Sequence, residues 1–324
     1  MTPPLKNDIQ VIDIEPFLSG STDKQLLEKI DRICSETGLF LVTGHGIDEN
    51  LIDEAYAVSK EFFNLDESTK ARYCKPDGSF LGYRGLHTLQ ASTKRKTVPD
   101  KKEVYTIGAD DRGSNGKKAL EGQPWPAELP AFEGILTRYY RELNKLSLGL
   151  SRLFAQALGL PAEFFKRRSD RSVSYLVTFN FPAEGETIPG QVRFAQHRDR
   201  DLFTVLTTNA PGLEVKDRQG RWYPVPVQPH AFTVNIGSMF TQWTEGRWTA
   251  PLHGVRNATL EETHDNRQTL TFFFNPNAEV KLSPLSVEDG DNINIGAPSD
   301  GADAEPQSVS DFLSSAWDLY RIME

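Results

Sequence analysis

Between residues 172 and 282 the chain breaks into short apolar runs closed by turn residues. Ser172–Phe181, Leu202–Thr208, Leu213–Val215, Ala231–Ile236 and Thr269–Phe274 read as strands. Pro211-Gly212 and Arg218-Gln219-Gly220 read as turns between them. Such a series suits a double-stranded β-helix, or jelly roll, whose two sheets enclose a pocket and leave few exposed edges. Helical periodicity lies on both sides of it. Leu136, Tyr139, Leu143, Leu146, Leu150, Leu153 and Ala157 step by three and four through residues 132–158, the pattern of a helix packed on a sheet. Val309–Tyr320 reads as a C-terminal helix. The fold class is therefore α+β with a mainly β core: a jelly roll flanked by N-terminal and C-terminal helices.

The N-terminal region, residues 1–125, is mixed α/β. Leu26, Leu27, Ile30, Ile33 and Cys34 recur at helical spacing. Leu39–Thr43 reads as a short buried strand, and residues 50–63 as another helix. Residues 91–123 are polar, with Lys94-Arg95-Lys96, Asp110-Asp111 and Gly113-Ser114-Asn115-Gly116, and read as one long loop covering the core. Residues 126–324 hold the long helix, the jelly roll and the C-terminal helix. Within them the acidic, Gly-rich stretch 288–305 reads as a surface linker. Its Asp289-Gly290-Asp291 lacks the glycine and closing glutamate of a calcium loop.

The chemistry concentrates at the entrance to one predicted strand. Gln196-His197-Arg198-Asp199 puts an imidazole and a carboxylate two residues apart, which in extended backbone places both on one face. His253 follows in Pro251-Leu252-His253-Gly254. Two histidines and one carboxylate form the facial triad of non-heme Fe(II) oxygenases, which leaves coordination positions open. A His-X-Asp pair alone is weak, because such pairs occur in turns. The context strengthens it: Arg267 and Thr269 stand at i and i+2 at the start of a strand rich in aromatics. A guanidinium in an apolar pocket needs an anion, its fork fits a carboxylate bidentately, and the hydroxyl adds one more hydrogen bond.

The order His-X-Asp, His, Arg-X-Thr resembles the 2-oxoglutarate- and Fe(II)-dependent dioxygenases, in the branch with isopenicillin N synthase. Other segments resemble the same family in the same order. They are Val11-Ile12-Asp13-Ile14, Thr37 to Ile47 around Gly44-His45-Gly46, Glu61-Phe62-Phe63-Asn64-Leu65, Asp100-Lys101-Lys102-Glu103 and Val234-Asn235-Ile236-Gly237-Ser238. The resemblance implies that His197, Asp199 and His253 hold Fe(II), and that Arg267 and Thr269 anchor the distal carboxylate of 2-oxoglutarate. It also implies O₂ as oxidant and ascorbate as a supporting reductant. The reaction it implies is hydroxylation of a small molecule, or its desaturation or ring closure, coupled to decarboxylation of 2-oxoglutarate to succinate. Two other functions fit the same residues: an iron oxidase of the isopenicillin N synthase type that does not use 2-oxoglutarate, and a non-catalytic small-molecule binder.

The sequence departs from its relatives in four places. Arg198 and Arg200 flank Asp199, and Thr269 replaces a serine. The interval from His253 to Arg267 is long and predicts an enlarged turn. Thr178-Phe179-Asn180-Phe181-Pro182 lacks a tyrosine that many relatives direct at 2-oxoglutarate. For the substrate, Arg84 lies in a segment that lines the pocket in relatives, and Arg193, four residues before His197, shares its predicted face. Together they suggest an acidic substrate, such as an amino acid or an acidic natural product. Arg198 points away on a regular strand. His45 reads as structural, His230 as part of a proline-flanked turn, and His264-Asp265 as a surface pair.

Composition adds boundaries. The net charge of −9 argues against broad nucleic-acid binding. Two cysteines, Cys34 and Cys74, make no disulfide framework. Neither a signal peptide nor a spanning apolar run appears, so a cytoplasmic protein with no membrane partner is expected. It is expected to act as a monomer or weak homodimer.

Overall fold

The computed structural model describes residues 9–75, 80–86, 88, 98–108, 122–183, 189–217, 219–262, 265–285 and 307–320. The N-terminal region runs β1 (Val11–Asp13), α1 (Glu15–Leu18), α2 (Lys24–Glu36), β2 (Leu39–Thr43), α3 (Glu49–Phe63), α4 (Glu67–Ala71), β3 (Gly82–Arg84) and β4 (Glu103–Gly108). The long helix α5 spans Pro130–Ala157. After it come β5 (Tyr175–Phe181), β6 (Phe194–His197), β7 (Phe203–Thr208), β8 (Leu213–Lys216), β9 (Trp222–Pro224) and β10 (Phe232–Ile236). The chain ends with α6 (Ser238–Trp243), β11 (Leu252–Val255), β12 (Arg267–Phe274) and α7 (Val309–Tyr320).

The helix boundaries follow their capping chemistry. Asp23 and Asp48 cap α2 and α3, accepting from the backbone N–H of Gln25 and Asn50. Pro130 opens α5, where a missing N–H costs nothing. Gly159, at φ 76°, closes it with its N–H bonded to the Gln156 carbonyl.

Eight strands form a major sheet in the order β1-β2-β10-β7-β12-β5-β4-β3, and four form a minor sheet, β6-β11-β8-β9. Among the described residues only β1 and β2 pair in parallel. Alternation along the central strands sorts side chains between two cores. Leu270, Phe272 and Phe274 of β12 and Phe203 and Val205 of β7 pack with the α5 stripe. On the other face Phe179, Phe181 and Leu206 join Leu213, Val215 and Val255 of the minor sheet. This is the jelly-roll sandwich read from the sequence, with one face covered by helices and a second core between the sheets.

Two expectations need correction. Residues 91–123 do not form one polar loop, because they contain β4, which is buried along its whole length. The charges that made the segment look exposed are paired internally. Lys102 bonds Asp100 (2.9 Å), and Glu103 takes Lys70 (2.7 Å), the Tyr83 hydroxyl (2.6 Å) and the Asn180 amide (2.8 Å). The runs Lys94–Lys96, Asp110-Asp111 and Gly113–Gly116 lie outside the described residues, as does the 288–305 stretch. Second, the strand after the His-X-Asp motif begins at Phe203, one residue later than read, and a separate strand, β6, ends at His197. Asp199 therefore sits in a loop between strands. The strands of residues 1–125 and of the later region interleave in one sheet, with β2 beside β10 and β4 beside β5.

Candidate active site

His197 closes β6 and His253 lies in β11. The two strands are antiparallel neighbours, and the two histidines stand opposite each other in the register. That pairing brings the imidazoles side by side, with ring centroids 4.4 Å apart. Each Nδ1 meets a backbone carbonyl: His197 donates to Ala195 O (2.8 Å) and His253 to Pro251 O (3.1 Å). A carbonyl only accepts, so the proton sits on Nδ1 and the Nε2 lone pair is left facing the cavity.

Asp199 reaches the same point from the loop rather than along a strand face. Its backbone carbonyl accepts from the N–H and Oγ of Ser238, both at 2.8 Å. Its Oδ2 accepts from Thr204 Oγ1 (2.5 Å) and Asn235 Nδ2 (2.8 Å). Oδ1 is left toward the histidines, 3.3 Å from His197 Nε2 and 3.5 Å from His253 Nε2. The loop passes so close to Gly237 that a Cβ there would sit 1.8 Å from Asp201 O. The Asn235-Ile236-Gly237-Ser238 segment thus supplies one donor to the carboxylate, two to the backbone, and the space for both. Thr204, Asn235 and Ser238 were not singled out as site residues from the sequence. The Val-Asn-Ile-Gly-Ser motif was the available signal for two of them.

Burial by itself would raise the Asp199 pKa. Positive charge on the side of the imidazoles, His253 before His197, and the Asn235 amide outweigh it and hold the carboxyl well below its usual range. Burial lowers the His253 pKa and keeps that ring neutral. The result is a carboxylate oxygen and imidazole lone pairs facing one another. Such an arrangement is repulsive unless a cation sits among them. Among the described residues this is the one group of three or more His, Cys, Asp or Glu side chains whose ligand atoms lie within 4.8 Å of each other. The donor set fits a divalent first-row metal with open positions.

The triad opens into a cleft between the sheets. Phe179, Phe181, Phe194 and Phe273 line its walls, together with Arg267, Thr269 and Thr271 of β12. Arg267 is 1% exposed. Nε donates to Ala210 O (3.2 Å) and Pro211 O (3.1 Å), and Nη1 to Thr269 Oγ1 (2.6 Å). Burial, with Arg193 and Arg256 nearby, pulls its pKa down to about 9, so it remains a cation at neutral pH. No carboxylate pairs with it among the described residues. Its guanidinium lies over the Phe181 ring at 5.0 Å, so the face of Phe181 serves the cation in the stretch that lacks the family's tyrosine.

The profile described as the 2OG-Fe(II) oxygenase superfamily matches residues 173–276, and that of the non-haem dioxygenase in morphine synthesis N-terminal region matches residues 9–128. A 2-oxoglutarate-dependent dioxygenase of Didymella fabae is 30% identical over 323 residues, covering 93% of each chain. This chain belongs to the 2-oxoglutarate- and Fe(II)-dependent oxygenases. Homoarginine-6-hydroxylase 2-ODD-233 of Oryza sativa subsp. japonica is also 30% identical to the oxygenase, covering 86% of this chain and 88% of its own. Among solved folds, a full-length Neurospora crassa protein in complex with alpha-KG aligns at a TM-score of 0.80 and 22% identity, over 96% of this chain and 95% of its own. The enzyme is a 2-oxoglutarate-dependent dioxygenase with Fe(II) as its metal.

The other predicted positions fall elsewhere in the oxygenase. Asp201 lies two residues past Asp199. It is buried and turned to Asn275 Nδ2 (2.7 Å) and the Tyr175 hydroxyl (3.3 Å). Arg84 and Arg193 are not among the residues lining the cleft. Arg84 donates to the backbone carbonyls of Tyr83 (2.9 Å) and Lys75 (3.4 Å). Arg193 is 3% exposed, and its Nη2 has no hydrogen-bond partner among the described residues. His45 is structural: Nε2 donates to His230 O (2.8 Å) and Nδ1 accepts from Ile47 N–H (3.1 Å). Cys34 is buried and Cys74 exposed, and both are free. His264 lies outside the described residues. No helix among the described residues is long and apolar enough to cross a membrane.

The Thr269 hydroxyl accepts from Arg267 and can donate its own proton to an anion beside it. Thr269→Val is expected to raise the KM for 2-oxoglutarate by roughly 5- to 30-fold, the effect of about 1–2 kcal/mol for a hydrogen bond to a charged group. Steady-state kinetics at saturating substrate measures it.

Proposed function

We propose that His197, Asp199 and His253 hold the Fe(II), that Arg267 and Thr269 hold the distal carboxylate of 2-oxoglutarate, and that the enzyme hydroxylates a small carboxylate-bearing molecule. The observation that carries the metal assignment is the convergence of two Nε2 lone pairs and Asp199 Oδ1 with every other polar atom of those side chains already engaged. When bound, Fe(II) and 2-oxoglutarate supply the oxidation: O₂ and 2-oxoglutarate become succinate and CO₂, and one oxygen atom enters the substrate. The chain's own contribution is placement. Thr204 and Asn235 fix which carboxylate oxygen faces the metal. Arg267 orients the co-substrate along β12, and the Phe179, Phe181, Phe194 and Phe273 rings keep water out of the cleft.

Arg193 lies behind the cleft lining rather than in it, and its buried, partly unpartnered guanidinium is the feature that favours a carboxylate in the substrate. A buried guanidinium with an unfilled Nη2 calls for an anion, and its neighbour Arg256 already takes Glu262 through two bonds of 2.7 and 2.8 Å. The homoarginine-6-hydroxylases among the relatives are named for an amino acid, which agrees with this class. The test is an aerobic screen of amino acids and acidic natural products with Fe(II), ascorbate and 2-oxoglutarate, read by mass spectrometry alongside succinate release and O₂ uptake. One succinate per O₂ and a product heavier by one oxygen are expected; O₂ uptake without succinate would refute the reading. A good substrate should lose most of its turnover on esterification, and Arg193→Ala should raise KM for the acid but not for the ester. Equal turnover of acid and ester by the wild-type enzyme would sink the carboxylate assignment.

A further inference from the structure

His197 has weak backbone support for a metal ligand. Its strand β6 is four residues long and lies at the edge of the minor sheet. It pairs with β11 at only two recorded positions, His253↔His197 and Val255↔Phe194, with a register irregularity between them. A short edge strand with a broken ladder does not by itself hold a side chain to the tolerance a coordination site needs.

Two buried charges stand behind it. Lys102 is 3% exposed and Asp100 is 1% exposed. Lys102 Nζ bonds Asp100 Oδ2 at 2.9 Å and lies 2.9 Å from the centroid of the Phe194 ring, with the Phe179 ring at 5.8 Å. Burial lowers the Lys102 pKa to about 8, against the opposing pull of Asp100. Desolvating two charges offsets most of their attraction, so such a pair adds little to stability by itself.

Both members of the pair lead to His197, by separate routes. Asp100 Oδ1 accepts from the Ala195 N–H (2.9 Å), and the Ala195 carbonyl accepts from His197 Nδ1 (2.8 Å). The Phe194 ring against which Lys102 rests is stacked on the His197 imidazole, with centroids 4.2 Å apart and planes 21° from parallel. We infer that Asp100 and Lys102 are positioning residues: one fixes the backbone that sets the His197 tautomer, and the other holds the ring that sets its orientation, so that Nε2 is aimed before the metal arrives. This rests on the assignment of His197 as an iron ligand. It gives Asp100 and Lys102 a task at the metal although neither side chain reaches the triad.

The experiment uses the full-length, metal-free protein and Mn(II) as an air-stable probe. Binding is measured by titration calorimetry, and the unfolding temperature is recorded without metal. Wild-type protein that binds no Mn(II) would overturn the metal assignment itself. Given wild-type binding, Lys102→Met keeps the packing volume and removes the charge. Its Kd for Mn(II) is expected to rise about 10-fold at a temperature where the variant is folded, as for other residues that orient ligands, while the metal-free unfolding temperature falls because Asp100 is left buried without its cation. Wild-type affinity in the folded variant would overturn the inference. If Lys102→Met does not fold, Phe194→Leu decides, since it leaves the ion pair and removes the stack. A comparable rise in Kd supports the inference, and an unchanged Kd overturns it.

Discussion

Asp199→Ala is expected to leave no measurable turnover and to weaken Fe(II) binding severely. The carboxylate is the one anionic member of the triad, and without it two neutral imidazoles must hold a dication alone. The change also strands the donors of Thr204 and Asn235, which now meet at Oδ2, and unsatisfied buried donors add a cost of about 1–3 kcal/mol each. Succinate release with saturating 2-oxoglutarate and substrate is the measurement. Asp201→Asn, two residues on, should cost far less, because Asp201 points to Asn275 and Tyr175. An Asp199→Ala enzyme that turns over normally would remove Asp199 from the metal.

Arg267→Ala should raise the 2-oxoglutarate requirement more than any other change away from the triad. Burying a guanidinium costs several kcal/mol, and its hydrogen-bond partners are two backbone carbonyls and one hydroxyl, with the Phe181 ring over its face. A dicarboxylate delivered to this cation pairs in a desolvated site, where truncating one partner costs about 2–5 kcal/mol. That corresponds to a KM increase of roughly 30-fold at the low end of that range. Arg267→Lys should recover only part of it, since an ammonium cannot present the planar fork. Saturation by 2-oxoglutarate at wild-type concentrations in Arg267→Ala would show that the anchor lies elsewhere.

The periodic elements were legible because their pattern is local. The α5 stripe, β2, β5, β7, β10 and β12 each announce themselves within a few residues. The ligand types were legible for the same reason: His-X-Asp and Arg-X-Thr are short spacings. The errors share one cause, which is that distant partners cannot be seen along the chain. Residues 98–108 look exposed in sequence because they carry Asp100, Lys101, Lys102 and Glu103, yet the Glu103 charge is met by Lys70 and Asn180, far away in the chain. Asp199 was placed on a strand because the motif could not show that β6 ends at His197.

By itself, then, the sequence determined the element types, the jelly-roll class and which residues were candidates for a metal and a dicarboxylate. The tertiary structure alone decided how those residues meet. His197 and His253 face each other because β6 and β11 pair, and Asp199 joins them because Asn235, Ser238 and Thr204 hold its loop. Lys102 reaches His197 only through the ring of Phe194. Backbone preference acts over a few residues and can be read along the chain, whereas hydrogen bonds and ring contacts between distant segments exist only once the sheets have packed.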